Sequence, residues 1–418
     1  TDYNKYNQTS VTPEIALKRP MQNENYFLNI CLFDCDIFSN RYHNYNLHDP
    51  KEMESLRIIL SSSRDRNFAW FREETGNKHW VLYDTEMFEV RKIKNGPRFL
   101  RYKDECTLAP EIPINASSCA FMFAFSKDRT RIDLAKLNTE GIVDMQAMFA
   151  FCPNLKYLDT SMLKTDSALN TIDMFKGCRS LAKLDLSSFK TSKVILMSCM
   201  FNSCVSLTQL DLSNFDTGSV ISMSGMFYNC KKLEQLILGN FNTSSVTEMD
   251  CMFTCCSNLV QLDVSKFDTS KVVTMFCMFS GCSKLIQLDL SNFDTKRVTN
   301  MASLFNNCKA LAQLDISSFD TSQVTDMGAM FTYCLSFKTL DLTFFDTRNV
   351  TDTCWMFEHC DSLTTIYISD KWNTNSVVYS DDMFKKCCSL PGFSPEKTNI
   401  KMAKPIEHGG YLTLKKVS

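Results

Sequence analysis

The sequence predicts an α/β fold, a right-handed solenoid of about ten strand–helix coils of 26 residues each, behind an N-terminal capping domain. A Met-Phe or Leu-Phe pair recurs at this interval, a Cys follows each repeated Phe by three residues, and a Thr recurs with the same period. A fixed period of roughly 20–50 residues is typical of units stacked on copies of themselves. The pairs begin at Met148-Phe149, Met174-Phe175, Met200-Phe201, Met226-Phe227, Met252-Phe253, Met278-Phe279, Leu304-Phe305, Met330-Phe331, Met356-Phe357 and Met383-Phe384.

Each coil is predicted to open with a short strand. In the coil that contains residues 207–230, Leu210 and Leu212 alternate with Asp211, which is the pattern of a half-buried strand. Asp211 should therefore face solvent. Equivalent strands of successive coils would form a parallel sheet.

A short helix is predicted for the second half of each coil. Thr217 is placed as its N-cap, because a hydroxyl there can satisfy backbone N–H groups that have no partner inside the helix. Apolar residues spaced by three, three, one and three would form its buried face. They are Val220, Met223, Met226, Phe227 and Cys230. The Thr column comprises Thr139, Thr165, Thr191, Thr217, Thr243, Thr269, Thr295, Thr321, Thr347 and Thr374.

Ten of the 20 cysteines occupy one position in successive coils, and we expect them to be buried, reduced thiols. Equivalent positions in stacked coils have parallel side chains, which does not suit a disulfide bond. The column comprises Cys152, Cys178, Cys204, Cys230, Cys256, Cys282, Cys308, Cys334, Cys360 and Cys387.

The chain is divided into an N-terminal cap or small α+β domain (1–115), the repeat solenoid (116–388) and a C-terminal cap (389–418). The first region is rich in aromatic residues, with a helix predicted over 50–62 and strands over 67–73, 78–83 and 87–93. The net charge is −2, which gives no general attraction to nucleic acid or anionic membrane. No run of 18 apolar residues predicts a membrane span.

The N-terminal region offers three weak candidate sites. The spacing C-x3-C-x7-H-x4-H of Cys31, Cys35, His43 and His48 could supply zinc ligands, but the two cysteines equally suit a buried apolar face. A basic run, Arg91 to Lys103, is a solvated face or a contact for an acidic partner. Trp70, Trp80 and Tyr83 weakly resemble a WWE-type module, which implies an ADP-ribose-like ligand; cross-strand packing on a hairpin explains them as well.

An Asp column along the predicted strands is the main candidate surface. Two interpretations stay open: a polar ladder satisfied by neighbouring Gln and Ser, or a concave acidic stripe that binds a basic partner or cations. Ile237 and Tyr367 interrupt the column. It comprises Asp133, Asp159, Asp185, Asp211, Asp263, Asp289, Asp315 and Asp341.

The unit LxxLDLSxFDTSxVxxMxxMFxxC resembles the bacterial surface-protein 26-residue repeat, in the BspA-like leucine-rich-repeat group. The resemblance covers about residues 117–418 and includes CCSLPGF (387–393) and GGYLTLK (409–415), which look like that family's closing segment. It implies a leucine-rich-repeat-like solenoid in a cell-surface or secreted protein that acts in adhesion and partner binding. It brings no catalytic residues.

The sequence contains no nucleophile–base motif, Gly-rich phosphate loop or zinc-protease pattern, so we expect no enzyme and no cofactor. We expect a surface adhesin or partner-binding module with a protein partner. The alternative is an intracellular structural scaffold, which the reduced thiols and the lack of a signal-peptide pattern favour. The candidate partner contacts are Asp185, Asp211, Asp263, Asp289, Asp315, Asp341, Tyr367 and Trp355.

Overall fold

A computed structural model describes residues 68–72, 80–84, 87–94, 98–104, 106, 117–239 and 241–415. From residue 117 onward the chain winds as a stack of coils. Parallel β-bridges join equivalent positions of successive coils, from Ser118 through Ser222 to Tyr379, at an interval of 26 residues that lengthens to 27 at the last step. This ladder confirms the predicted solenoid and its period.

Short parallel strands form the side of the coil that carries LxxLDLS. Strand β5 (Arg131–Ile132) pairs with β6 (Tyr157–Leu158), and β7 (Gln209–Asp211) pairs with β8 (Gln235–Ile237). Strands β9 (Thr339–Asp341), β10 (Thr365–Ile368) and β11 (Thr413–Leu414) form a three-stranded parallel sheet. Two 3-10 helices, Ile400–Met402 and Ile406–His408, precede β11.

Two antiparallel hairpins lie ahead of the solenoid in the chain. Strand β1 (Phe68–Arg72) pairs with β2 (Trp80–Asp84), and β3 (Phe88–Lys92) pairs with β4 (Arg98–Tyr102). The first three agree with the predicted strands. The helix predicted over 50–62 and the candidate zinc ligands Cys31, Cys35, His43 and His48 lie outside the described residues.

The predicted helix of each coil is wrong, since the described coils contain no α-helix. Its place is taken by a run of β-turns. Met226 N–H donates to Met223 O at 3.1 Å, and Cys230 N–H donates to Phe227 O at 3.2 Å. The third residue of each turn, Gly225 or Asn229, has a positive φ of 61° or 60°, as a type II turn requires. The apolar spacing of about three residues therefore arises from successive β-turns rather than from the face of a helix.

Hydrogen bonds between coils replace the bonds that a helix would make within itself. Phe227 N–H, which lies between two turns, donates to Met252 O of the next coil at 2.9 Å. Asn229 N–H likewise donates to Thr254 O at 2.7 Å. Backbone groups that alternate between turns and neighbouring coils are satisfied without a helix.

The Thr column therefore does not cap helices, and the N-cap role predicted for its members, such as Thr217 and Thr269, is wrong. Thr269 Oγ1 donates to Asp294 O, 25 residues later, at 2.9 Å. Thr243 Oγ1 donates to Asp268 O at 2.9 Å and also accepts from Asp268 N–H at 2.8 Å. Each of these buried hydroxyls joins two coils at the corner that follows the strand.

Stacked Phe rings and Cys thiols fill the core. Phe227 and Phe253 stack with ring centroids 5.5 Å apart, and equivalent rings continue along the solenoid. The thiol of Cys256 donates to Phe227 O at 3.1 Å. All ten cysteines of the column are buried and free, as predicted. Burial raises the pKa of the Cys230 thiol to about 12, so these groups stay protonated.

Both ends of the stack are covered. At the N-terminal end, Tyr102 N–H of β4 donates to Met122 O at 2.7 Å, and the Tyr102 ring packs on Phe123 with centroids 5.7 Å apart. At the other end the buried Tyr411 ring meets Phe384 edge-on at 5.4 Å. These contacts protect the terminal coils from water, which an open solenoid end would not do.

Candidate functional site

The Asp column lies on the outside of the strand segments, as predicted. We call this surface the strand face and define it by the outward side chains of the LxxLDLS segments, such as Gln209, Asp211 and Ser213. Asp211 is exposed, while Leu210 and Leu212 beside it are buried. The alternation of the strand sets this arrangement.

A local hydrogen bond holds each carboxylate of the column. Asp211 Oδ1 accepts from Ser213 N–H at 2.9 Å, and Asp263 Oδ1 accepts from both the N–H of Ser265 (3.0 Å) and its hydroxyl (2.6 Å). The same bond from residue i+2 recurs along the column. Its other acceptors are Asp133, Asp159, Asp185, Asp289, Asp315 and Asp341.

These bonds set the electrostatics of the column. Hydrogen bonds from the backbone and side chain of Ser213 lower the pKa of Asp211. Those from Ser317 lower the pKa of Asp315, although Asp289 and Asp341 in the adjacent coils oppose the effect. At Asp211 and Asp315 local bonds thus outweigh repulsion between coils, and these carboxylates are ionised at neutral pH.

Two open grooves run along the strand face. One of ≈ 460 Å³ is lined by Asp185, Gln209, Asp211 and Gln235. Another of ≈ 730 Å³ is lined by three successive Gln and three successive Asp side chains. The second set comprises Gln261, Gln287, Gln313, Asp263, Asp289 and Asp315. The grooves offer acceptors over several coils.

The C-terminal segment already occupies the end of this face. Lys415 Nζ lies 2.8 Å from Asp341 Oδ2 and 5.3 Å from the centre of the Tyr367 ring. Tyr367 is half-buried, and its strand pairs with β11 at Thr413. Burial alone would raise the pKa of Asp341, but the hydrogen bonds from Lys415 and Thr343 lower it.

The other predicted contacts are dispersed. Trp355 is half-buried in the turn segment, with a φ of 57°, rather than on the strand face. Among the aromatic residues near the C-terminal coils that were not predicted as contacts, Phe344 is 42% exposed, whereas Phe345 is fully buried. Ile237, which interrupts the Asp column, is 39% exposed on the strand face.

The described part of the chain contains no group of three or more His, Cys, Asp or Glu side chains placed to hold a metal ion. Nor does any helix within it have the length and apolar character needed to cross a bilayer. The hairpin proposed around Trp70 and Trp80 is present as β1–β2, with Trp70 opposite Leu82 and Arg72 opposite Trp80.

Sequence reasoning missed a column of left-handed residues that precedes the Cys column. It carries one stacked aromatic pair at its N-terminal end and another that precedes its last member, Lys386. Tyr333 and His359 have ring centroids 4.4 Å apart, and Phe125 and Phe151 lie 5.2 Å apart. The Gly or Asn that other coils place there was the available signal, because both residues favour positive φ.

The comparisons with known proteins identify a repeat family. The model described as "Mycoplasma protein of unknown function, DUF285" matches residues 117–211, 206–288 and 284–392. No curated protein matches the chain in sequence.

Among solved structures, the chain resembles a leucine rich cell surface protein from Faecalibacterium prausnitzii A2-165. The identity is 15%, the match covers 80% of this chain and 98% of that one, and the TM-score is 0.34. It also resembles a chain of the TLR13–ssRNA13 complex, at 14% identity over 62% of this chain and 51% of that one, with a TM-score of 0.18. Neither likeness is high enough to indicate a partner.

Proposed function

The chain belongs to the DUF285 family, and from that premise we propose that its solenoid is a non-enzymatic binding module at the cell surface. The strand face would hold a basic segment of a protein partner. The family description names no activity, so the support comes from the geometry of this chain.

The contact between Lys415 and Asp341 carries the proposal. A lysine from the chain's own C-terminal segment lies on the Asp column, with its ammonium group 2.8 Å from Asp341 Oδ2. The Tyr367 ring beside it gives a cation–π contact. A basic partner would repeat this contact on the preceding coils.

The preceding carboxylates have a free oxygen for such a contact. Asp211, Asp263 and Asp289 use Oδ1 in the local turn, and no described residue donates to their Oδ2. Equivalent residues of stacked strands lie about 4.8 Å apart, so a partner would meet a row of charges. Charge complementarity of this kind sets specificity and the rate of association.

The lowered pKa values support binding rather than catalysis. A general acid or base works best with a pKa near the operating pH, whereas the pKa values of Asp211, Asp289 and Asp315 are lowered, which moves them further from neutral pH. Open grooves also give water free access. A row of ionised acceptors suits recognition of an extended cationic surface.

The location at the cell surface is supported by the resemblance of the repeat to bacterial surface-protein repeats. The alternative, a rigid intracellular scaffold, is favoured by one observation: the ten core thiols are free. Reduced cysteines persist most readily in a reducing compartment. Antibody labelling of intact and permeabilised cells that produce the chain separates the two, because labelling only after permeabilisation would support the scaffold.

The binding test compares two sets of Asp-to-Asn changes in the same coils. One set removes three charges from the strand face: Asp263→Asn, Asp289→Asn and Asp315→Asn. The control removes three from the neighbouring corner, where Asp268, Asp294 and Asp320 also accept from residue i+2. Asn keeps an acceptor oxygen, so both sets should preserve the local turns.

The probe is a lysine-rich peptide, with affinity measured by calorimetry. The strand-face variant should bind about tenfold more weakly or worse, while the corner variant should resemble wild type. An equal loss in both variants would mean that only net charge matters and would contradict the proposed site.

A further inference from the structure

A third groove, of ≈ 450 Å³, lies between the β3–β4 hairpin and the first coil. Its apolar lining includes Ile93 and Phe99 from the hairpin and Phe125 from the coil. Lys92 and Lys94 of the hairpin line the same groove, as does Lys127 of the coil. The volume falls within the range of small-ligand sites.

The groove has an excess of uncompensated positive charge. The three lysines are exposed and form no ion pair with the described residues. Of the two carboxylates in the lining, Asp104 is held by Arg101 at 2.6 Å and by Arg129 at 3.4 Å. Within the lining, Asp128 therefore remains to balance the positive charges of the three lysines, and the net positive charge favours an anionic ligand.

Two aromatic rings stack at this end of the solenoid, and one of them, Phe125, lines the groove. Phe125 and Phe151 are half-buried, stack with centroids 5.2 Å apart, and have positive φ values of 64° and 58°. Other coils place Gly177, Ser203, Asn229, Cys255 or Gly281 at the equivalent position, and all of them share the positive φ. The stacking of coils therefore sets this backbone conformation, although it is sterically unfavourable for a residue with a side chain. What distinguishes this position is that the half-buried ring of Phe125 lines the same groove as the three lysines.

We propose that this groove binds an anionic aromatic group, namely a ring that bears a phosphate or sulfate. The ring would lie against Phe125, and the oxygens would accept hydrogen bonds from Lys92, Lys94 and Lys127. Ring stacking and charge-assisted hydrogen bonds would act on different parts of the ligand, so the affinity requires both. The site is separate from the strand face and does not depend on the function proposed for it.

Calorimetry on the full chain with three probes tests the proposal. Phenyl phosphate should bind at least about tenfold more tightly than inorganic phosphate or benzyl alcohol. A phosphotyrosine peptide distinguishes the source of the ligand. If the peptide binds more tightly than phenyl phosphate, the ligand belongs to a modified partner protein; if the two bind equally, it is a free small molecule. Equal affinity for phenyl phosphate and inorganic phosphate would overturn the proposal.

Two variants locate the site. The first is a triple variant of the groove, which should bind phenyl phosphate about tenfold more weakly: Lys92→Gln, Lys94→Gln and Lys127→Gln. Its control removes three exposed lysines elsewhere and should bind phenyl phosphate as wild type does: Lys193→Gln, Lys271→Gln and Lys284→Gln. Phe125→Asn should remove the preference for the ring, and Asn suits the positive φ, as at Asn229. Unchanged binding in the lysine variant, or an equal loss in its control, would contradict the assignment.

Discussion

The thiol of Cys256 donates a hydrogen bond to the backbone carbonyl of Phe227, 29 residues earlier in the chain, at 3.1 Å. The same bond recurs from Cys152 to Cys387, where the separation is 30 residues. Each thiol thus fills core space and gives a second hydrogen bond to a carbonyl that already accepts from a turn N–H, as Phe227 O accepts from Cys230. This explains why a Cys, rather than another small apolar residue, occupies the column.

Substitution of Cys256 tests this role. Cys256→Ala removes the second donor to the Phe227 carbonyl, which keeps the Cys230 N–H, and leaves a small cavity, so it should lower the free energy of unfolding by about 1–2 kcal/mol. Cys256→Ser keeps a donor and should cost less if the hydrogen bond dominates. Urea denaturation of both variants measures the difference, and a larger loss for Ser would assign the role to apolar packing alone.

The ten thiols of the column should be unreactive in the folded chain. Burial raises their pKa values, as in Cys308 to about 12, so the reactive thiolate is scarce at neutral pH. Thiol titration should find these ten groups only after denaturation. Disulfide bonds among them, detected by mass spectrometry without reduction, would refute the prediction.

Thr243 should stabilise the solenoid through bonds between coils. Its Oγ1 both donates to Asp268 O and accepts from Asp268 N–H. Thr243→Val leaves both part-buried backbone groups of Asp268 without these partners and should lower the free energy of unfolding by about 2 kcal/mol, whereas Thr243→Ser should retain most of the stability. Melting curves of the two variants test this prediction. An equal loss of stability in both would instead indicate that packing of the Thr243 methyl group is what stabilises the fold.

The Asp column should respond to acid more than to salt. Local hydrogen bonds lower the pKa values of members such as Asp211 and Asp263, so their contribution to stability is present above the unfolded pKa of about 4 and is lost as the pH falls through the lower folded pKa values. The triple Asn variant of Asp263, Asp289 and Asp315 should be less sensitive to acid. Melting temperatures of wild type should change little with salt or a divalent cation. A strong rise with either would revive the cation-site interpretation.

Asp326 should give the opposite dependence on pH. Its carboxylate lies beside that of Asp352 across Gly328, and burial raises the pKa of Asp326 from 3.8 to about 7. The folded chain keeps a proton that the unfolded chain loses above about pH 4, so stability should fall as the pH rises to about 7, by up to about 1.4 kcal/mol per pH unit. Asp326→Asn should flatten urea midpoints over this range. An unchanged slope would contradict the assignment.

The sequence by itself determined the period, the identity of the core columns and the direction of each strand residue. The reason is that a stack of coils repeats one environment at each position, so every coil shows the same preference for a residue type at that position. Asp211 could be placed outside and Cys230 inside from one coil, and the other coils confirmed both. The strands of the first hairpin were also predictable, because alternation is a local pattern.

The tertiary structure decided what lies between those columns. A spacing of three, three, one and three between Val220 and Cys230 fits a helix face and a run of β-turns equally well, since both return the chain to one side every three or four residues. Only the neighbouring coil distinguishes them, by accepting hydrogen bonds from Phe227 and Asn229 that a helix would use internally. The position of Lys415 on Asp341 could not be read from the sequence either, because 74 residues separate the two and only the fold brings them together.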